Sequence, residues 1–201
     1  MRVLVACEYS GVVRDAFRWA GHDAWSCDVL PTDVPGPHIQ GDVRDVLSDG
    51  WDLMVAHPPC TYLTNSGVRW LYSEPDRIEK MHQAADFFSA IQRAPIPRIA
   101  IENPIMHGRA RRLAACGPAT QIIQPWMFGH GETKATCLWL KGLPALHSMH
   151  VVPGRVARVH RLPPTLDRWK LRSTTPRGIG LAMALQWGGT VKGCQIIWNY
   201  S

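Results

Sequence analysis

The chain has no Cys-x-x-Cys pair, no internal repeat and no low-complexity tract, and no apolar run approaches the ~20 residues that a membrane-spanning helix needs. Its six cysteines, Cys7, Cys27, Cys60, Cys116, Cys137 and Cys194, are scattered. Met1 runs straight into an apolar stretch instead of a charged leader, so the thiols read as reduced and the protein as cytoplasmic, with no membrane partner. Metal-ligand spacing is missing too. His57 and His130 share no compact pattern with Cys60, and no metal is expected. Charge is sparse at 19%, and acids are the rarer sign: Asp+Glu 16 against Lys+Arg 22, a formal net charge of +6. That surplus favours an anionic partner such as nucleic acid, a nucleotide or phosphate. What the chain does have is 46% hydrophobic residues over a length of 201. It can bury one sizeable core, and since a domain takes ~100–200 residues, 1–201 reads as a single domain.

Arg2-Val3-Leu4-Val5-Ala6-Cys7 is an apolar run ended by the turn Glu8-Tyr9-Ser10-Gly11, after which Val12, Val13, Ala16, Phe17 and Ala20 recur at helical spacing. Gly21 closes that helix, Ala24 to Cys27 predict a second strand, and Asp28 falls where it ends. Ile39 to Val43 predicts a third strand or a turn carrying Asp42. Trp51 to Ala56 predicts a fourth, stopped by His57-Pro58-Pro59-Cys60 because two successive prolines cannot continue a ladder. Met81, Ala84, Ala85, Phe88 and Ile91 mark a helix within 74–91, and Arg98 to Ile101 a fifth strand ending at Glu102-Asn103-Pro104. Gln121 to Gln124 and Thr136 to Leu140 read as strands flanking the turn Phe128-Gly129-His130-Gly131-Glu132, and helical spacing returns from Gly178 to Trp187.

Strands alternating with helices predict an α/β fold, a mainly parallel sheet with helices on both faces. In such sheets ligands sit beyond the carboxyl ends of the strands, where Glu8, Asp28, Asp42, Cys60 and Glu102 collect. Residues 143–172 differ. Prolines and the cations Arg155, Arg158, Arg161, Arg168, Lys170 and Arg172 dominate there, giving a basic connection laid over the surface: a solvated face or, with His160 and Trp169 interleaved, a phosphate- or base-contacting one.

Pro59-Cys60-Thr61-Tyr62-Leu63-Thr64, Glu102-Asn103-Pro104 and the loop Cys7-Glu8-Tyr9-Ser10-Gly11-Val12 occur in the order of the DNA cytosine-C5 methyltransferases, and the chain resembles that family, in particular small phage-type members. Singly, the first is a strand stop and the second a loop start; their joint order carries the resemblance. It implies a Rossmann-like S-adenosylmethionine-dependent methyltransferase fold in a bacterial or phage-infected cell. It further implies Cys60 and Glu102 as the catalytic pair. S-adenosyl-L-methionine would be held by Cys7, Glu8, Tyr9, Ser10, Gly11, Asp28, Asp42, Pro58 and Ser173. Pro59, Asn103, Lys134, Thr136, Arg158 and Arg161 would lie on the substrate side.

The chemistry accounts for those residue types. Cytosine C5 is a poor nucleophile until a thiolate adds at C6, and an acid at N3 and the exocyclic amine stabilises the charge that develops. Three departures from the family pattern bear on substrate. Cys7 and Tyr9 replace the aromatic and the first glycine of the cofactor loop. Lys134 and Thr136 replace two arginines, removing a rigid guanidinium. The basic stretch 143–172 stands where the family carries a large target-recognition region. The net charge and the basic connection make DNA the leading expected substrate, whereas the missing recognition region and Thr136 point to the alternative, a free pyrimidine nucleotide such as deoxycytidylate. A non-catalytic nucleic-acid-binding module is the third reading, against which the intact Cys60 and Glu102 argue.

Overall fold

A run such as Val3-Leu4-Val5-Ala6, apolar without alternation, suits a strand covered on both faces. In the computed structural model, which describes residues 1–65, 73–166 and 168–189, that run is β1 (Arg2–Ala6), and all four side chains are buried. β1 is followed by α1 (Val12–Trp19), β2 (Asp23–Asp28), β3 (His38–Gln40) and β4 (Leu53–Ala56). Then come α2 (Arg77–Gln92), β5 (Arg98–Asn103), α3 (Gly108–Leu113), β6 (Gln121–Ile123) and β7 (Thr136–Lys141). Three short helices, α4 (Arg158–Arg161), α5 (Arg168–Ser173) and α6 (Arg177–Met183), complete the described chain, the last running into a π-helical turn at Ala184–Gly188.

The strands form one seven-stranded sheet in the order β3-β2-β1-β4-β5-β7-β6. All neighbours from β3 through β5 pair in parallel, and β7 is antiparallel to both β5 and β6. Alternate residues of each strand supply two separate cores. On one face Val3, Val5, Leu53 and Val55 pack with Val13 and Phe17 of α1 and with Ile179, Met183 and Trp187. On the other, Leu4, Met54, Ile99 and Ile101 pack with Met81, Ala85, Phe88 and Ile91 of α2.

The third strand is shorter than its sequence suggests. After β3 the chain turns at Gly41, and Asp42 accepts the Arg44 amide to start a single 3-10 turn, Val43–Asp45. The helical spacing of α1 also conceals a buried Arg14. Its guanidinium donates to Ser26 Oγ, Thr32 Oγ1 and the carbonyls of Val34 and Pro35, tying the loop after β2 to α1. The connection 143–172 is mostly exposed but not featureless, since His150 and Val156 bridge to Phe128 and Glu132. α6 then passes so close to the 128–130 turn that a Cβ at Gly178 would lie 1.9 Å from the Phe128 carbonyl oxygen. Glycine is required there by space alone. Five cysteines are unpaired thiols, and Cys194 lies outside the described residues. Among the described residues no helix is long and apolar enough to cross a membrane.

Candidate active site

The strand order turns at β1, with β2 and β3 to one side and β4 and β5 to the other. A crevice opens at such a point, beyond the carboxyl ends of the strands. The loop leaving β1 enters it sharply, with Cys7 at φ 57° and Gly11 at φ 74°. Glu8 is folded back beneath α1. One carboxylate oxygen accepts the Val13 amide at 2.7 Å and the other the Arg14 amide at 3.1 Å. It thereby satisfies donors that the first turn of a helix leaves unpaired. The carboxylate assigned by resemblance to the cofactor thus serves as the cap of α1.

β4 and β5 are adjacent and parallel with Ala56 opposite Ile101, so His57-Pro58-Pro59-Cys60 emerges beside Glu102-Asn103-Pro104. Asn103 Nδ2 donates to the Pro58 carbonyl at 3.0 Å, and the His107 amide to Leu63 at 2.7 Å. These bonds hold the Cys60 turn and the segment after Glu102 in one register. His57 Nδ1 lies 3.1 Å from Glu102 Oε2, the two side chains 9% and 12% exposed. Burial pushes the Glu102 carboxyl up, but the His57 hydrogen bond and the charges of Lys134 and His57 outweigh it and hold it below the ordinary carboxylate range. The Cys60 thiol is pushed up, first by burial and then by the Glu102 charge, with Lys134 and Arg172 pulling the other way.

The wall opposite the strands comes from α5 and the residues after it. Tyr9 Oη and Ser173 Oγ are 2.9 Å apart, Tyr9 and Trp169 meet with ring centroids at 5.7 Å, and Lys134 Nζ donates to the Arg172 carbonyl at 2.8 Å. Together these elements enclose a cleft of about 110 Å³. Of the residues singled out from sequence, Cys7, Glu8, Tyr9, Ser10, Pro58, Pro59, Cys60, Glu102, Asn103, Lys134 and Ser173 border it.

The others are placed elsewhere. Gly11 starts α1. Asp28 ends β2 one strand away, accepting the Leu30 amide at 2.9 Å. Burial raises its carboxyl, and the Leu30 amide and His38 oppose the rise. Asp42 is chelated by Arg44, whose side-chain hydrogen bonds hold it below the usual range. Thr136 is buried, with its hydroxyl donating to the Lys134 carbonyl. Arg158 pairs with Glu132 at 2.6 Å, and Arg161 is exposed. The side chains of Thr136, Arg158 and Arg161 are not at the cleft, and the Asp42 carboxylate is engaged by Arg44.

His57, Pro104, Arg172, Thr174 and Thr175 also line the cleft. Nothing in the local sequence marks His57 beyond its place before two prolines; only the β4–β5 register brings it to Glu102. No three His, Cys, Asp or Glu side chains gather around a metal position among the described residues. His130 instead accepts the Gly178 amide at 3.1 Å.

No family model matches the chain, and no curated protein matches it by sequence. Solved structures do. One is an E. coli protein assigned as a DNA modification methyltransferase encoded within a prophage, at 15% identity and a TM-score of 0.50, covering 83% of this chain and 56% of that one. The fold is a Rossmann-like methyltransferase fold. The Entamoeba histolytica methyltransferase EhMeth (12% identity, TM-score 0.47, 76% of this chain and 57% of that one) is also similar. So is the S. pombe Dnmt2 methyltransferase (15%, 0.46, 79% and 53%). The chain spans a little over half the length of the proteins it matches.

Proposed function

We propose that this chain transfers a methyl group from S-adenosylmethionine to C5 of cytosine in DNA through a covalent adduct of Cys60 at C6. The observation that carries this reading is a thiol and a carboxylate, Cys60 and Glu102, on adjacent strand ends of one cleft. Attack at C6 needs the thiolate, and Glu102 faces the same cleft to support N3 and the exocyclic amine. Residues 143–172 take the place of a target-recognition region in what is read as a single catalytic domain.

The residues fit the cofactor. Asn103 Oδ1 is buried without a hydrogen-bond partner and can accept from an amino group. Asp28, partly exposed at the end of β2 beside the cleft, can accept from ribose hydroxyls, and Cys7, Tyr9, Ser10, Pro58 and Ser173 border the cleft itself. S-adenosylmethionine supplies an electrophilic methyl group on a cationic sulfur when bound. Asp28→Ala is expected to weaken cofactor binding about ten- to hundredfold, the cost of a lost hydrogen bond to a charged group. Isothermal titration would measure this, and unchanged affinity would place the ribose elsewhere.

The substrate question turns on the basic connection. Arg155 lies over the Trp126 ring, Arg158 pairs with Glu132 and Lys170 with Asp33. Such exposed pairs contribute only ~0–1 kcal/mol, so DNA phosphates can displace them. Duplex DNA, single strands and deoxycytidylate are each incubated with labelled cofactor, followed by mass spectrometry of the base. Label is expected at C5 of cytosine in DNA, with affinity falling steeply in salt and the slope flattening by about one unit per neutralised arginine on duplex. The second reading, transfer to a free nucleotide, is favoured by Lys134 and Arg172 alone among the cations bordering the cleft, enough for one phosphate. Turnover of deoxycytidylate with none on DNA would establish it. No label on cytosine in any substrate would remove both.

A further inference from the structure

The cleft contains a buried histidine to which the reaction above gives no role. His57 Nδ1 faces Glu102 Oε2 at 3.1 Å. A carboxylate only accepts, so in the resting site Nδ1 carries the hydrogen that faces Glu102, and the imidazolium carries a second on Nε2. Nε2 is buried with no hydrogen-bond partner. A buried ring nitrogen left without a partner is costly and calls for a role in the cleft. Besides Glu102 from β5, Glu8 from the loop after β1 lies within electrostatic reach, and the His57 charge is the strongest pull on its carboxyl against burial. Cys60 follows in the same turn as His57; the charge of Lys134, ahead of β7, acts on both Glu102 and Cys60, and that of Arg172 on Cys60.

We infer that His57 is a positioning residue for Glu102, aiming its carboxylate into the cleft and storing the proton that Glu102 passes to N3 of the base. The inference rests on the roles proposed above for Cys60 and Glu102. A glutamate kept ionised by its partners has no proton to give, whereas the ring addition requires one. As the Cys60 thiolate bonds to C6, the C5–C6 π pair shifts to C4–C5 and the C4–N3 pair moves onto N3. One proton passes from His57 Nδ1 to the carboxylate and from the carboxyl group to N3, leaving His57 neutral. After methylation at C5 the N3 pair restores the C4–N3 double bond, the C5 proton is lost to water, and its pair forms C5–C6 as Cys60 departs as thiolate. The proton on N3 returns through Glu102 to His57, so the one proton released overall is that of C5.

The test is the pH profile of single-turnover transfer in the wild type, His57→Asn and His57→Ala. Asparagine keeps an N–H donor near the Nδ1 position but does not titrate. Wild-type transfer is expected to level off with rising pH once His57 gives up its proton, because each gain in Cys60 thiolate is then offset by that loss. His57→Asn should be about 10²-fold slower near neutrality, within the range that positioned proton transfer contributes, with KM values unchanged. Its rate should keep climbing until Cys60 is ionised, and His57→Ala, lacking the donor as well, should be slower again. Profiles of one shape in wild type and His57→Asn overturn the proposal and leave Cys60 and Glu102 as assigned. Absence of transfer to any cytosine substrate overturns that assignment instead. The NMR titration of the His57 ring then decides the pairing alone: a shift to lower pH in Glu102→Gln supports it, and an unmoved titration overturns it.

Discussion

Cys60→Ser is expected to reduce methyl transfer to background while leaving cofactor affinity nearly unchanged. The thiolate is the nucleophile of the proposed reaction, and an alcohol in its place is far weaker at any accessible pH. The turn need not change, because the Leu63 and Thr64 amides bond the Cys60 carbonyl and not its side chain. A substrate carrying 5-fluorocytosine should trap the wild-type protein as a covalent adduct at Cys60, since fluorine replaces the C5 proton that must leave. Burial and Glu102 hold the thiol above its ordinary range, so thiolate is scarce at neutral pH and adduct formation should rise with pH only as far as the plateau set by His57. Intact-mass measurement reads both results. Full turnover by the serine variant would sink the covalent mechanism.

Glu102→Gln should have the next largest effect, a fall of about 10²–10⁴-fold in the transfer rate, the range for a positioned acid or base. The amide keeps the shape and can still accept from His57 Nδ1, but it neither carries the charge nor passes a proton. Because the bond from Asn103 to the Pro58 carbonyl does not involve Glu102, cofactor binding should survive. A rate within a few-fold of wild type would mean that Glu102 is an ordinary buried ion pair with His57 and that the ring is supported by another group.

Much of this architecture was legible from local pattern. Strand-length apolar runs without alternation, each ended by a polar turn, placed β1, β4 and β5 and hence the strand ends carrying Cys60 and Glu102. Helical spacing placed α1 and α2. What local pattern left out concerns groups claimed by partners that no periodicity reveals. Arg14 is one, with partners 12 to 21 residues on. Glu8 reads as a turn acid open to solvent or cofactor, yet the first turn of α1 claims both its oxygens. Arg158 and Thr136 resemble substrate contacts in order along the chain, yet an ion pair and a backbone carbonyl take them up.

By itself the sequence determined which residue types stand at which strand ends, because period, prolines and glycines act over a few residues and set where each strand stops. It thereby determined the α/β class and the candidate nucleophile and acid. Which side chains face one another was decided only by the tertiary structure. Strand register is set by the packing of two whole cores, and that register alone carries His57 to Glu102 across 45 residues. The same holds for the wall of the cleft, where Ser173 reaches Tyr9 across 164 residues through the docking of α5 and α6. No local preference of either segment encodes such a contact, since it exists only once burial has fixed both ends in place.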